Sequence, residues 1–165
     1  MAKPVTASVG VYTDAMARTL IICVGNDARG DDGVAHRVAR LLSCADGGPA
    51  LPDDTSVLTA TGLDFAMAED VAACDTLFVI DAERREAPAV DVRRLSAGTA
   101  RHSGHAIDAP GLLAIAGALY GAAPEALLVT VAAPEMSHTE SLSDTAKAAS
   151  EEAADVVRTL CFARG

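Results

Sequence analysis

The sequence predicts an α/β fold, a three-layer sandwich in which a mostly parallel five-stranded sheet with one antiparallel strand carries helices on both faces. Two patterns predict this fold. Short apolar segments rich in β-branched residues alternate along the chain with longer segments whose apolar residues recur every three or four positions. Most neighbouring strand segments are also far enough apart to be joined by a helix, as parallel strands require.

Five segments are predicted as strands. The first, at 19–24 (TLIICV), is short and apolar and stops at Gly25-Asn26, which favours a buried strand over a helix. The others are predicted at 56–60, 76–80, 90–95 and 126–132. Only about nine residues separate the third from the fourth, fewer than a parallel crossover needs, so we expect the fourth strand to be antiparallel.

Four segments are predicted as helices. The first begins with Asp31 and Asp32 at its N-terminus, and the second has its apolar residues at positions 63, 67 and 71. Asp108 is expected to cap the third, with Pro110 in its first turn. The fourth is expected from about residue 140, because apolar residues then recur at helical spacing to residue 160.

Length, charge and cysteine content limit the possible functions. The 165 residues fit a single domain at 19–165, after an N-terminal leader at 1–18 that we expect to be loosely ordered. A net charge of −10 disfavours nucleic acids and anionic lipids as partners. It is compatible with binding of a cation, with a partner that has a basic segment, or with a solvated surface that has no binding function. The four cysteines form no Cys-x-x-Cys pair, so we expect free thiols. No targeting or membrane-spanning segment is recognised, and a cytoplasmic monomer is expected.

The candidate functional residues should meet at the carboxyl edge of the parallel strands, where open α/β sheets bind ligands. Asp32 lies in the turn after the first strand, Asp81 ends the third apolar segment, and His105 precedes the third helix. Two carboxylates and an imidazole would form a metal site with open positions. Each residue also has a simpler interpretation: helix capping for Asp31 and Asp32, and an ordinary solvent-exposed position for Asp81 or His105.

Several other kinds of site are disfavoured. The turn at 25–33 has neither the glycine spacing of a dinucleotide site nor the Gly-Lys-Ser/Thr of a P-loop, and its aspartates would repel phosphate, so a phosphate-binding module is the least favoured function. Neither G-x-S-x-G nor His-Glu-x-x-His occurs, which argues against a serine hydrolase of the nucleophile-elbow type and against a zincin. Asp27 adds a charge whose role is open, and His102 and His138 are weaker candidates.

These residues resemble the motifs of the hydrogenase maturation proteases. The opening Gly25-Asn26 followed by Gly30-Asp31-Asp32-Gly33 is similar to the Gly-Asn-x-x-x-x-Asp-Asp/Glu of that family. The likeness continues in order over about residues 19–160, through Thr61-Gly62, Val79-Ile80-Asp81-Ala82, Ser103-Gly104-His105 and Pro134-Glu135.

The resemblance implies an endopeptidase that removes the C-terminal extension of a nickel–iron hydrogenase large-subunit precursor after nickel insertion. It implies Asp32, Asp81 and His105 as the residues that engage the metal, with both aspartates catalytic, and Gly25 and Asn26 as substrate-binding residues. The nickel would belong to the substrate, and no cofactor would be bound permanently. Two alternatives stay open: a self-contained metal-dependent hydrolase, and a non-proteolytic relative that binds a hydrogenase precursor.

Overall fold

The computed structural model describes residues 19–43, 48–103 and 106–164, so the predicted leader and His105 lie outside the described residues. The strands are β1 Thr19–Val24, β2 Thr55–Ala60, β3 Thr76–Glu83, β4 Val90–Leu95, β5 His102–Ser103, β6 Ala106–Ile107 and β7 Glu125–Ala132. The helices are α1 Val34–Leu42, α2 Ala68–Ala73, α3 Ala109–Tyr120 and α4 Asp144–Arg164, with short 3₁₀ turns at Gly30–Gly33 and Phe65–Met67.

The main sheet has the strand order β2-β1-β3-β7-β4. All neighbours in it are parallel except β4, which runs antiparallel to β7 at the edge of the sheet. The short β3–β4 connection explains this exception, because it leaves no room for a crossover helix. The predicted fold class is therefore confirmed, including its one antiparallel strand.

The helices cover the sheet in two layers. In β1, Ile21 and Cys23 pack with residues of α1 and α4 on one face, whereas Leu20 and Ile22 pack with residues of α2 and α3 on the other. This alternation follows from the two-residue period of a strand and explains why β1 reads as a continuous apolar segment. Within the described part of the chain, no helix combines the length and apolarity needed to cross a membrane.

The ends of several elements differ from the sequence prediction. β3 continues past Asp81 to Glu83, because β7 supplies pairing partners as far as Ala132, so Asp81 lies inside the strand and not at its tip. β1 nevertheless ends opposite Asp81, at Val24. α2 is shorter than expected and α4 begins later, at Asp144. The hairpin of β5 and β6 was not predicted.

Candidate functional site

The turn after β1 is closely packed against the backbone of Asp32. The Gly25 N–H donates to the carbonyl of Ala60 at 2.9 Å, and the Asn26 N–H donates to the carbonyl of Asp32 at 3.1 Å. A Cβ atom at Gly25 would overlap that Asp32 carbonyl oxygen, so only glycine fits there. Gly25 and Asn26 thus position Asp32, and their predicted contact with substrate stays a prediction.

The Asp31 side chain has a structural role in the turn after β1. Its carboxylate is fully buried and accepts hydrogen bonds from the backbone N–H of Glu135 at 2.9 Å, and from the N–H and hydroxyl of Ser143 at 2.7 and 2.8 Å. The Ser143 hydroxyl in turn accepts from the N–H of Ala146 in the first turn of α4. Asp31 therefore does not cap α1 but fastens residues 135–143, which lead into α4, to the turn after β1.

Asp32 and Asp81 lie close enough for their charges to interact. Asp81 is mostly buried, and burial raises the pKa of its carboxyl group from 3.8 to about 6. The negative charges of Asp32 and Glu83 contribute to this rise in the pKa, whereas a hydrogen bond from the Ala82 N–H, 2.8 Å long, opposes it. Two of the predicted site residues thus meet at the carboxyl edge of the sheet, as expected from the parallel strands.

Strand β6, which follows residues 104 and 105 in the chain, lies on the same face of the sheet as Asp81. The flanking hairpin of β5 and β6 is held by the Ile107 N–H, which donates to the Leu63 carbonyl at 2.9 Å. Leu63 and Ile107 pack on the face of α2 and α3. Asp81 is on that face too, since it is two residues along β3 from Val79. Among the described residues, which exclude His105, no three His, Cys, Asp or Glu side chains could share a metal ion.

Arg85 anchors the connection that follows Asp81. Its guanidinium donates to the hydroxyl and carbonyl oxygens of Thr130 at 2.8 and 2.9 Å and to the Pro88 carbonyl at 2.8 Å, and it forms an ion pair with Glu83. Thr130 lies directly opposite Asp81 in the β3–β7 ladder. The network therefore fixes both strands at the level of Asp81.

A cavity of about 550 Å³ lies on the other side of the Asp32 turn, and we call it the α1 cavity. It is lined by Asn26, Asp27, Ala28, Gly30, Gly33, His36, Arg40, Thr61, Glu140 and Leu142. Neither Asp32 nor Asp81 lines it, so the cavity adjoins the carboxylate pair and does not enclose it.

His36 forms part of the cavity wall and was missed from the sequence. Its Nδ1 lies 3.3 Å from an Asp27 carboxylate oxygen, and its Nε2 lies 3.1 Å from the Ala60 carbonyl oxygen. Asp27 therefore acts as a partner of His36. The four-residue spacing of His36 and Arg40 on a predicted helix was the available signal, because such residues share one face. His138 is exposed in the segment before α4.

Several solved structures with a similar fold are named as hydrogenase maturation endopeptidases or proteases. The hydrogenase maturating endopeptidase HybD from E. coli aligns with a TM-score of 0.73 at 23% identity, over 90% of this chain and 94% of that one. A hydrogenase 2 maturation peptidase from a Thaumarchaeota archaeon gives a TM-score of 0.60 at 26% identity, over 85% of this chain and 95% of that one. The nickel–iron hydrogenase maturation protease HycI from Thermococcus kodakarensis aligns with a TM-score of 0.66 at 19% identity, over 88% of this chain and 93% of that one.

Comparison by sequence adds nothing to this result. No protein-family model matches the chain, and no curated protein matches it. The structural likeness confirms the resemblance to hydrogenase maturation proteases that the sequence motifs predict, and it covers nearly the whole of each solved chain.

Proposed function

We propose that this chain is an endopeptidase that removes the C-terminal extension of a nickel–iron hydrogenase large-subunit precursor after nickel insertion. The observation that carries the proposal is the pair of interacting carboxylates, Asp32 and Asp81, at the carboxyl edge of a sheet. The solved structures that share this fold are named as endopeptidases and proteases of hydrogenase maturation, which supports the same activity here.

In this proposal the precursor's nickel is the feature that is recognised. Two neighbouring carboxylates repel each other, and a divalent cation between them relieves that repulsion. His105 would add an imidazole ligand, which suits nickel. Since three protein ligands leave coordination positions open, a metal already held by the substrate could still be engaged. No metal resident in this chain is needed.

The proposed reaction is hydrolysis of the peptide bond that precedes the extension. Asp32, Asp81 and His105 would hold the precursor's metal so that this bond lies beside the carboxylates, and such positioning contributes about 7–11 kcal/mol in favourable cases. Water adds to the carbonyl carbon, the C–N bond breaks, and the proton that the water loses goes to the departing amine. A carboxylate could carry that proton, and the substrate's nickel could polarise the carbonyl group.

The decisive test is cleavage of purified, nickel-loaded precursor from the same organism. We expect Asp32→Asn, Asp81→Asn and His105→Ala each to lower the cleavage rate at least about 100-fold. Asp53→Asn is the matched control, because Asp53 is exposed just before β2, at the opposite edge of the sheet. Wild-type rates in any of the three site variants would refute the assignment of that residue, and no cleavage by the wild type would refute the function.

Calorimetry with nickel separates this proposal from a self-contained metalloenzyme. If the substrate supplies the metal, the isolated protein should bind Ni²⁺ only weakly, and Asp81→Asn should change this little. Tight stoichiometric binding that Asp81→Asn abolishes would favour a metal-dependent hydrolase instead. A stable complex with the precursor that never proceeds to cleavage would favour a non-proteolytic, precursor-binding relative.

A further inference from the structure

We propose that the α1 cavity binds the C-terminal extension of the precursor, so that the segment to be removed is recognised along with the metal. This inference rests on the proposed function and adds a second substrate contact to it.

The cavity borders the turn that carries Asp32. Gly33, the residue after Asp32, lines it, and so does Asn26, whose N–H is bonded to the Asp32 carbonyl. The cavity is therefore next to the backbone of Asp32, and a peptide bound at the Asp32 carboxylate would continue around this turn to enter it. The turn at 26–33 thus lines the cavity and also carries the Asp32 carboxylate.

The arrangement of the precursor around its scissile bond indicates which of its segments could lie in the cavity. Residues on the N-terminal side of the scissile bond belong to the domain that holds the nickel, and that metal is engaged by the carboxylates. The extension is the remaining part of the substrate next to the cut, and it can adopt an extended conformation. It is therefore the occupant that fits a cavity continuous with the catalytic turn.

The dimensions fit a short peptide. From Asp32 to Arg40 the chain advances by about 12 Å at about 1.5 Å per helical residue. An extended peptide advances about 3.3 Å per residue, so about three or four residues of the extension would span this length. A volume of about 550 Å³ also lies in the range of cavities that enclose ligands of this size.

The lining offers both kinds of partner that a peptide backbone requires. Arg40 on α1 supplies hydrogen-bond donors, whereas Glu140, on the segment before α4, supplies acceptors. Ala28 and Thr61 are exposed and small, and they stand on two different loops, after β1 and after β2. A bulky side chain at either position would fill the cavity without disturbing buried packing.

The test compares two nickel-loaded precursors, one with its full extension and one with the extension cut back to a single residue. For the wild type we expect a KM about tenfold lower for the full extension, which corresponds to one or two hydrogen bonds. Ala28→Trp and Thr61→Trp should each remove this difference in KM between the two precursors, because the indole ring would occupy the space that the extension needs. Ala122→Trp is the control, because Ala122 is exposed in the α3–β7 loop at the opposite edge of the sheet.

The outcomes separate this inference from the proposed function. If the wild type cleaves both precursors with the same KM, or if both tryptophan variants still prefer the full extension tenfold, the cavity does not bind the extension, although the endopeptidase assignment stands. If the wild type cleaves neither precursor, the proposed function fails and the inference fails with it. Thermal unfolding of each variant verifies that a lost preference does not reflect a lost fold.

Discussion

Replacing Asp81 with asparagine is expected to stabilise the protein at neutral pH even though it should abolish cleavage. Burial, followed by the nearby charges of Asp32 and Glu83, raises the pKa of Asp81 from 3.8 to about 6. This rise in the pKa corresponds to about 3 kcal/mol by which folding is disfavoured while the Asp81 carboxylate is ionised. Asparagine has the same shape, carries no charge, and can still accept the hydrogen bond from the Ala82 N–H.

The pH dependence of this effect has a definite sign. Because the pKa is higher in the folded state, Asp81 contributes no penalty below pH 3.8, where both folded and unfolded chains are protonated at this position. The penalty develops as the pH rises from 3.8 to about 6 and is constant above that value. The free energy of unfolding of Asp81→Asn should therefore exceed that of the wild type by well under 1 kcal/mol at pH 4 and by about 3 kcal/mol at pH 8.

Urea unfolding at pH 4 and pH 8 measures this difference directly, with Asp53→Asn as the exposed control. If Asp81→Asn is no more stable than the wild type at pH 8, or if its advantage is the same at both pH values, burial of the Asp81 charge is not a cost in the folded state. The expected result would be a direct case of a functional group that is retained at the expense of stability.

Two further substitutions test the turn that carries Asp32. Asp31→Ala should lower the free energy of unfolding by at least about 3 kcal/mol in urea titrations, because three hydrogen bonds to a buried carboxylate are lost. Asp32→Ala should change it by less than about 1 kcal/mol, and equal effects would contradict the division of roles between these neighbours. Gly25→Ala should cost about 2 kcal/mol or more and displace the Asp32 backbone, whereas Gly117→Ala in α3, where an added Cβ meets nothing within 4 Å, should raise the melting temperature slightly.

The main sheet could be predicted because its strands are buried by helices on both sides. Strands that are buried on both faces consist of short apolar segments, which can be recognised in a sequence. The β3–β4 connection is too short for a crossover helix, so β4 was expected to be antiparallel. The hairpin of β5 and β6 has strands of two residues each and no periodicity to detect. The start of α4 depends on hydrogen bonds between Asp31 and Ser143, 112 residues apart, which no local pattern contains.

The candidate site was predictable in part for the same reason. Topology alone places the ends of β1 and β3 at one edge, so the proximity of Asp32 and Asp81 followed from the strand order. The separate roles of Asp31 and Asp32 could not be predicted, because both positions suit an aspartate at the start of a helix. Only the packing of residues 135–143 over Asp31 distinguishes them.

The bond between Asp31 and Ser143 also orders events during synthesis. When residue 43 has emerged from the ribosome, the turn that carries Asp32 is complete in sequence, but the acceptor beside it has no donors until the segment before α4 has been translated. A nascent chain that lacks this segment therefore lacks the three hydrogen bonds that the Asp31 carboxylate accepts. The hydrogen bonds that fasten the Asp32 turn to residues 135–143 can therefore form only after most of the chain has been translated.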